Sequence, residues 1–186
     1  MNTCASLGLF FHVGSNNKMA QLSLLNHSYA NTGVEMNEDS FVKLEMKGHV
    51  AWVTLNRPEK RNALNFEMLE QLVATFQQLD QDDNTRVIVI NGEGKSFCAG
   101  LELTALAGLI EKKSADYRER LRRTILHGQT STNIIELCNK PVILASHSHC
   151  IGGGVDIACA CDIRLASKDA IFSVRETRLA FVADLG

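Results

Sequence analysis

The feature that most limits the fold is a repeated unit, in which a short apolar run leads through a glycine-containing loop into a helical segment. The first run is Val87–Ile90, followed by a loop from Gly92 to Leu103. The second is Val142–Ala145, followed by Gly152-Gly153-Gly154 and a small-residue helix over Val155–Cys161. Short apolar runs between turn signals are typical of strands buried on both faces. Such units in series predict an α/β fold with parallel strands.

Other patterns place the remaining elements. Alternation of apolar and polar residues on one side of a Lys47-Gly48 turn predicts a hairpin of Phe41–Met46 with Val50–Leu55. Asn65 is typical of a helix N-cap, and the apolar spacing after it predicts a helix to about Gln81. The further predicted elements are a helix over Ala115–Cys138, which Pro141 ends, and strands over Ile163–Ala166 and Ile171–Val174.

Composition bounds the class of protein. The 186 residues are 45% hydrophobic and 22% charged, as expected of a globular domain with its own core. A formal net charge of −2 gives no basic surplus, so we expect neither a nucleic-acid partner nor a membrane partner. After a short apolar run over Ala5–Val13, residues 14–40 are polar and aperiodic, which predicts a mostly disordered leader over 1–40 before a single domain over 41–186.

The cysteines and histidines indicate neither a disulfide framework nor a metal site. The six cysteines are irregularly spaced, and four of them sit among small and apolar residues, which predicts reduced thiols in the core. These four are Cys98, Cys150, Cys159 and Cys161. His147, His149 and Cys150 fall at or near alternate positions of one strand, a poor tetrahedral set, and there is no CxxC. We therefore predict no metal.

The two glycine loops, Ser96–Leu103 and Cys150–Asp156, are the candidate chemical sites. Glycine lets a backbone approach a ligand closely, and the start of a helix presents unpaired N–H groups. Two such N–H groups from separate loops can form an oxyanion hole. The structural alternative is that the glycines only allow a helix to pack tightly on a strand. Neither loop has the GxxxxGK[ST] or GxGxxG spacing of a phosphate-binding loop.

Three motifs together resemble a known family. The runs Val53–Asn65, Ser96–Leu103 and Gly152–Arg164 are similar, in order and spacing, to the signatures of the crotonase superfamily, the enoyl-CoA hydratases and isomerases. The resemblance covers residues 41–186 and implies a crotonase-like α/β spiral of β-β-α units, here lacking the C-terminal helical region. It also implies a homotrimer or dimer of trimers when that region is present.

The resemblance implies a site built on an acyl thioester. The N–H groups of Leu101 and Gly153 should hold the thioester oxygen. Coenzyme A is part of the substrate, so no separate cofactor is expected. The residues expected to contact coenzyme A are Arg57, Lys60, Ala63, Ala99 and Gly100.

The acids indicate the reaction. Asp156 and Glu176 fall where hydratases of this family carry two catalytic glutamates, and Asp184 adds a third acid, as in the Δ3,5-Δ2,4-dienoyl-CoA isomerase branch. That branch moves two conjugated double bonds of a 3,5-dienoyl-CoA to the 2,4 positions in fatty-acid β-oxidation. Glu176 should transfer the proton at C2, Asp184 should transfer the proton at C6, and Asp156 should tune the protonation of both.

Two alternatives stay open from the sequence. One is an enoyl-CoA hydratase or an isomerase acting on a single double bond. The other is a non-catalytic family member that binds acyl-CoA or RNA. For the compartment, we expect the cytoplasm in a bacterium, and the mitochondrion or peroxisome in a eukaryote.

Overall fold

The computed structural model describes residues 40–102 and 114–179, which form seven strands and three α-helices. The strands are β1 (Val42–Lys47), β2 (Val50–Leu55), β3 (Val87–Gly92), β4 (Val142–Ser146), β5 (His149–Ile151), β6 (Ile163–Ala166) and β7 (Ile171–Ser173). The helices are α1 (Phe66–Gln81), α2 (Ala115–Leu137) and α3 (Gly153–Ala160), with short 3-10 helices at Pro58–Lys60 and Glu176–Leu179. Asp184 and all but the last residue of the predicted leader lie outside the described residues.

A five-stranded sheet forms the main layer, in the order β1-β2-β3-β4-β6. β1 and β2 are antiparallel, as predicted, but the turn is at Gly48-His49, one residue later than expected, because Lys47 still pairs with Val50. Every other neighbouring pair is parallel. The apolar runs of β3 and β4 lie in the core, where Ile88, Ile90 and Leu144 are completely buried. The predicted α/β fold with parallel strands is therefore confirmed.

The helices bury the apolar stripes that the sequence spacing indicated. Asn65 caps α1, since its side-chain oxygen accepts the Met68 N–H at 2.9 Å. α2 places buried residues only from Gly128 onward, where it packs against α1 and α3. α3 begins at Gly153, two residues before the predicted start, directly after Gly152 with a left-handed φ of 52°.

A second set of parallel pairings brings the three motifs together. Leu64 pairs with Leu101, Cys98 pairs with Cys150, and β5 pairs with β7. Four chain segments therefore lie side by side, although they are far apart in the sequence. Both glycine loops belong to this set.

None of the helices in residues 40–102 and 114–179 combines the length and the apolar character needed to cross a membrane.

Candidate active site

The hydrogen bonds around Leu101 fix the direction of its N–H. Leu64 donates its N–H to the Gly100 carbonyl at 2.8 Å, and Glu102 donates its N–H to the Leu64 carbonyl at 2.8 Å. In a parallel pairing of this kind, the N–H of the residue between the two bonds points away from the partner strand. The Leu101 N–H therefore points away from Leu64, and within the described residues it has no hydrogen-bond acceptor.

The second glycine loop presents another backbone donor. Gly152 donates its N–H to the Ser173 carbonyl at 3.0 Å, and its own carbonyl accepts the N–H groups of Val155 and Asp156. Gly153 is the first residue of α3, so its N–H has no acceptor within the helix. No acceptor for it occurs elsewhere in the part of the chain that the structure describes. The positive end of the α3 dipole favours negative charge at the same point.

The two loops approach each other so closely that side chains would not fit. Gly100 has a φ of 92°, and a Cβ on it would lie 3.0 Å from the Ile151 carbonyl oxygen and 3.7 Å from the Gly152 Cα. A Cβ on Gly154 would lie 2.8 Å from the Cys98 Cβ. The tight packing predicted by the structural alternative is therefore real, and it is also what brings the two loops together.

Glu176 is the acid placed against these loops. A Cβ on Gly152 would lie only 2.5 Å from the Glu176 Oε1, so the carboxylate rests directly on the Gly152 backbone. The Glu176 Oε2 is buried and has no hydrogen-bond partner among the described residues. A buried carboxylate oxygen without a partner costs stability, and an oxygen of this kind is found where a ligand or a proton transfer needs it.

The other two acids are placed less completely. Asp156 lies in the first turn of α3, half-buried, and donates its N–H to the Gly152 carbonyl at 3.3 Å. Burial raises the pKa of the Cys98 thiol to about 12, with smaller raising contributions from Cys150 and from the charge of Asp156. Asp156 therefore lies near the pair formed by Cys98 and Cys150. The position of Asp184 is outside the described residues.

The residues predicted to contact coenzyme A gather around the pairing of Leu64 with Leu101. Arg57 is only 12% exposed, and its Nη1 donates to the Ala63 carbonyl at 3.1 Å and to the Glu102 Oε2 at 2.7 Å. The Lys60 side chain is exposed, Ala63 and Ala99 are partly exposed, and Gly100 is buried. Their contact with coenzyme A stays a prediction.

Asn62 was given no individual role from the sequence, yet it joins the segments that carry the first and second motifs. It is completely buried and its φ is 54°. Its Oδ1 accepts the Arg57 N–H at 2.8 Å. Its Nδ2 donates to three backbone carbonyls, those of Glu93 and Ser96 at 2.9 Å and that of Phe97 at 3.1 Å. An asparagine between Arg61 and Ala63 in a turn was the available signal, because asparagine tolerates a left-handed backbone.

The thiols agree with the prediction except at one position. Cys98, Cys150 and Cys161 are buried and reduced, and burial raises the pKa of each to about 12. Cys159 is exposed, so its assignment to the core was wrong, because it falls on the outer face of α3. Within residues 40–102 and 114–179, no group of three or more histidines, cysteines and acids is arranged to hold a metal ion.

The chain matches the family described as enoyl-CoA hydratase/isomerase over residues 45–186. The chain belongs to this family. The resemblance seen in the three motifs is thereby confirmed, and the crotonase-like fold with it.

Curated relatives include a mitochondrial Δ(3,5)-Δ(2,4)-dienoyl-CoA isomerase of Mus musculus, 42% identical over 154 residues, which are 81% of this chain and 47% of that protein. The peroxisomal isomerase of the same name from Arabidopsis thaliana is 40% identical over 161 residues, 81% of this chain and 58% of that protein. The chain thus spans about half the length of the curated relatives that it matches. A Thermobifida fusca structure in complex with acetoacetyl-CoA is 28% identical, with a TM-score of 0.67, covering 78% of this chain and 58% of that one.

Proposed function

We propose that the protein moves the double bonds of a 3,5-dienoyl-CoA to the 2,4 positions, as a step of fatty-acid β-oxidation. The observation that carries the proposal is the Glu176 carboxylate, which rests on Gly152 with one oxygen buried and unpaired among the described residues. Relatives about 40% identical that are named Δ(3,5)-Δ(2,4)-dienoyl-CoA isomerases support it.

The first step concerns the thioester oxygen. We expect it to accept the N–H groups of Leu101 and Gly153, which stabilise the negative charge that develops when the carbonyl becomes an enolate. Gly152 lies under the Glu176 carboxylate and directly precedes Gly153. An oxygen bound at Gly153 therefore places the carbonyl carbon, and C2 bonded to it, within reach of Glu176. This geometry supports Glu176 as the base.

The proton and electron balance then defines the roles of the acids. Glu176 removes a proton from C2, and the electron pair is delocalised directly into the thioester carbonyl on one side and through the diene as far as C6 on the other. A proton delivered to C6 returns the electrons as double bonds at C2 and C4. Asp184 is proposed as the donor at C6, and Asp156 as the charge that keeps one acid protonated while the other is ionised.

The binding of coenzyme A and the assembly belong to the same proposal. Lys60, Ala63, Ala99 and Gly100 are proposed to contact coenzyme A, and the Thermobifida fusca structure, which holds acetoacetyl-CoA, supports an acyl-CoA ligand. A homotrimer or dimer of trimers is the proposed assembly, and light scattering after size-exclusion chromatography tests it. The relatives named above are described as mitochondrial and peroxisomal, which supports the eukaryotic alternatives for the compartment.

Turnover of a 3,5-dienoyl-CoA tests the proposal directly, because the conjugated 2,4-dienoyl thioester differs from the substrate in ultraviolet absorbance. Glu176→Gln removes the base and should lower kcat by about 10²- to 10⁴-fold. Glu45→Gln is the control, since Glu45 is an exposed acid on the sheet edge, where it pairs with Lys47. No turnover by the unaltered protein at high concentration would favour the non-catalytic binding alternative.

Enoyl-CoA hydration is the second candidate, because the resemblance places Asp156 and Glu176 where hydratases carry their two glutamates, and the family includes hydratases. Asp184→Asn separates the two functions. Dienoyl isomerisation should collapse in this variant, whereas hydration of a short enoyl-CoA should change little. Equal loss of both activities would contradict the role proposed for Asp184 at C6.

A further inference from the structure

The Arg57 side chain joins both strands of the pairing that presents the Leu101 N–H. A single nitrogen, Nη1, donates to the carbonyl of Ala63, the residue before Leu64, at 3.1 Å. The same nitrogen donates to the carboxylate of Glu102, the residue after Leu101, at 2.7 Å. The guanidinium therefore ties together the two chain segments at the point where the Leu101 backbone is fixed.

This contact differs from the other ion pairs of the described residues. The side chains of Arg57 and Glu102 are 12% and 24% exposed, whereas in every other ion pair of the described residues at least one partner is 59% exposed or more. The Arg57 guanidinium also lies over the Phe41 ring, 5.6 Å from its centroid. Ion pairs that are shielded from water hold their geometry better than exposed pairs, which add little.

Arg57 is itself held before it reaches Glu102. Its N–H donates to the Asn62 Oδ1 at 2.8 Å, and its carbonyl accepts the N–H groups of Lys60 and Asn62. The backbone of Arg57 is thus fixed within its own turn, and the side chain transmits that position to Glu102. A planar guanidinium that already contacts a carbonyl and a carboxylate is a poor candidate for a free coenzyme A contact.

We propose that Arg57 and Glu102 are a positioning pair that holds the Leu101 N–H in line with the thioester oxygen. The inference rests on the proposed function, in which Leu101 is an oxyanion donor. Arg57 then acts on the reaction through Glu102 and Leu101, and its contribution is to kcat. A residue that only bound coenzyme A would act on KM.

The kinetic test uses the full chain with Glu102→Gln, Arg57→Lys and the double variant. Glu102→Gln removes the negative charge of the pair. Arg57→Lys keeps the positive charge but removes the planar group that contacts two acceptors. Each single variant should lower kcat by about 10- to 100-fold with KM within about twofold, because displacing a donor costs less than deleting it. The kcat of the double variant should be no lower than that of the less active single variant, since the pair acts as a unit.

Glu59→Gln is the matched control. Glu59 approaches the same guanidinium at 3.8 Å, but its side chain is 65% exposed and it does not adjoin Leu101. Its kcat should change by less than about twofold. A raised KM with unchanged kcat in Arg57→Lys would overturn the proposal and assign Arg57 to coenzyme A instead.

A spectroscopic measurement separates this inference from the proposed reaction. Acetoacetyl-CoA is the probe, since the absorbance of its bound enolate reports stabilisation of negative charge on the thioester oxygen. Glu102→Gln should bind acetoacetyl-CoA with nearly unchanged affinity in calorimetry but show less enolate. The unaltered protein could give the enolate signal but fail to isomerise dienoyl-CoA. The proposed reaction would then be wrong, but the comparison of enolate signals would still test whether Arg57 and Glu102 position the Leu101 N–H. An unchanged enolate signal, or a variant that unfolds, would contradict a positioning role.

Discussion

Replacing Asn62 by aspartate should destabilise the protein more than its small chemical change suggests. Aspartate has nearly the same shape and keeps the oxygen that accepts the Arg57 N–H at 2.8 Å. It replaces Nδ2, which donates to the carbonyls of Glu93, Ser96 and Phe97, by a second oxygen. An ionised carboxylate would face three carbonyl oxygens in a site with no exposed surface.

The expected magnitude comes from the two protonation states of the new side chain. The Nδ2 group carries two hydrogens, and a protonated aspartic acid replaces one of them with its O–H. Losing the hydrogen bond of the other costs about 1 kcal/mol of unfolding free energy. Holding it protonated at pH 7, about 3 units above its ordinary pKa, costs about 4 kcal/mol at about 1.4 kcal/mol per unit. We therefore expect a loss of about 5 kcal/mol at pH 7. Because the folded protein then binds a proton that the unfolded chain releases above pH 4, stability should fall as the pH rises above 4.

Urea unfolding, followed by circular dichroism at pH 5 and pH 7, measures the loss of unfolding free energy. The loss caused by Asn62→Asp should be smaller at pH 5 by about 2 to 3 kcal/mol. Asn65→Asp is the matched control, because the Asn65 side-chain oxygen accepts the Met68 N–H and an aspartate oxygen can accept it equally well at a helix N-terminus. A loss below about 1 kcal/mol, or one that is the same at both pH values, would refute this account of Asn62.

Other substitutions test the site and the core. Gly152→Ala should lower kcat by about 10²-fold, because its Cβ would lie 2.5 Å from the Glu176 Oε1 and displace the carboxylate. Gly48→Ala, with a similar φ of 61° but open space around it, should cost about 1 kcal/mol of unfolding free energy and leave turnover unchanged. Burial raises the pKa of Cys98 from its ordinary 9.0 to about 12, so its contribution to stability should be lost as the pH rises above 9, at about 1.4 kcal/mol per unit. Cys150 and Cys161 contribute in the same way, so Cys98→Ala should reduce the slope of that loss in urea unfolding by about 1.4 kcal/mol per unit without removing it. Iodoacetamide at pH 8 should modify Cys159 and spare Cys98, as read by peptide mass spectrometry; equal labelling of the folded protein would contradict the burial of Cys98.

The elements that could be predicted from the sequence are those whose pattern is local. The Asn65 cap and the apolar spacing in the residues that follow it predict both ends of α1. A run such as Val87–Ile90 identifies a buried strand by itself. The glycine loops and the acids could be identified as candidates because their motifs are contiguous.

The contacts that build the candidate site could not be predicted, because they join residues far apart in the chain. Arg57 meets Glu102 across 45 positions, and Asn62 reaches Phe97 across 35. Nothing in the charge of Arg57 distinguishes a shielded pair from a solvent-exposed ligand contact. Cys159 was placed in the core because its neighbours in sequence are apolar, whereas the turn of α3 carries it outward. Tertiary packing decides both cases.

The donors proposed for the thioester oxygen are both main-chain groups, and this has a consequence for how the site tolerates mutation. Replacing the side chain of Leu101 leaves its N–H in place, so the proposed donor does not depend on which side chain stands there. Only proline deletes such a donor. Proline is well tolerated at the first position of a helix, and Gly153 is that position in α3. The two proposed donors should therefore survive almost every single substitution within their own residues, and damage to them should come mainly from neighbours that move the backbone.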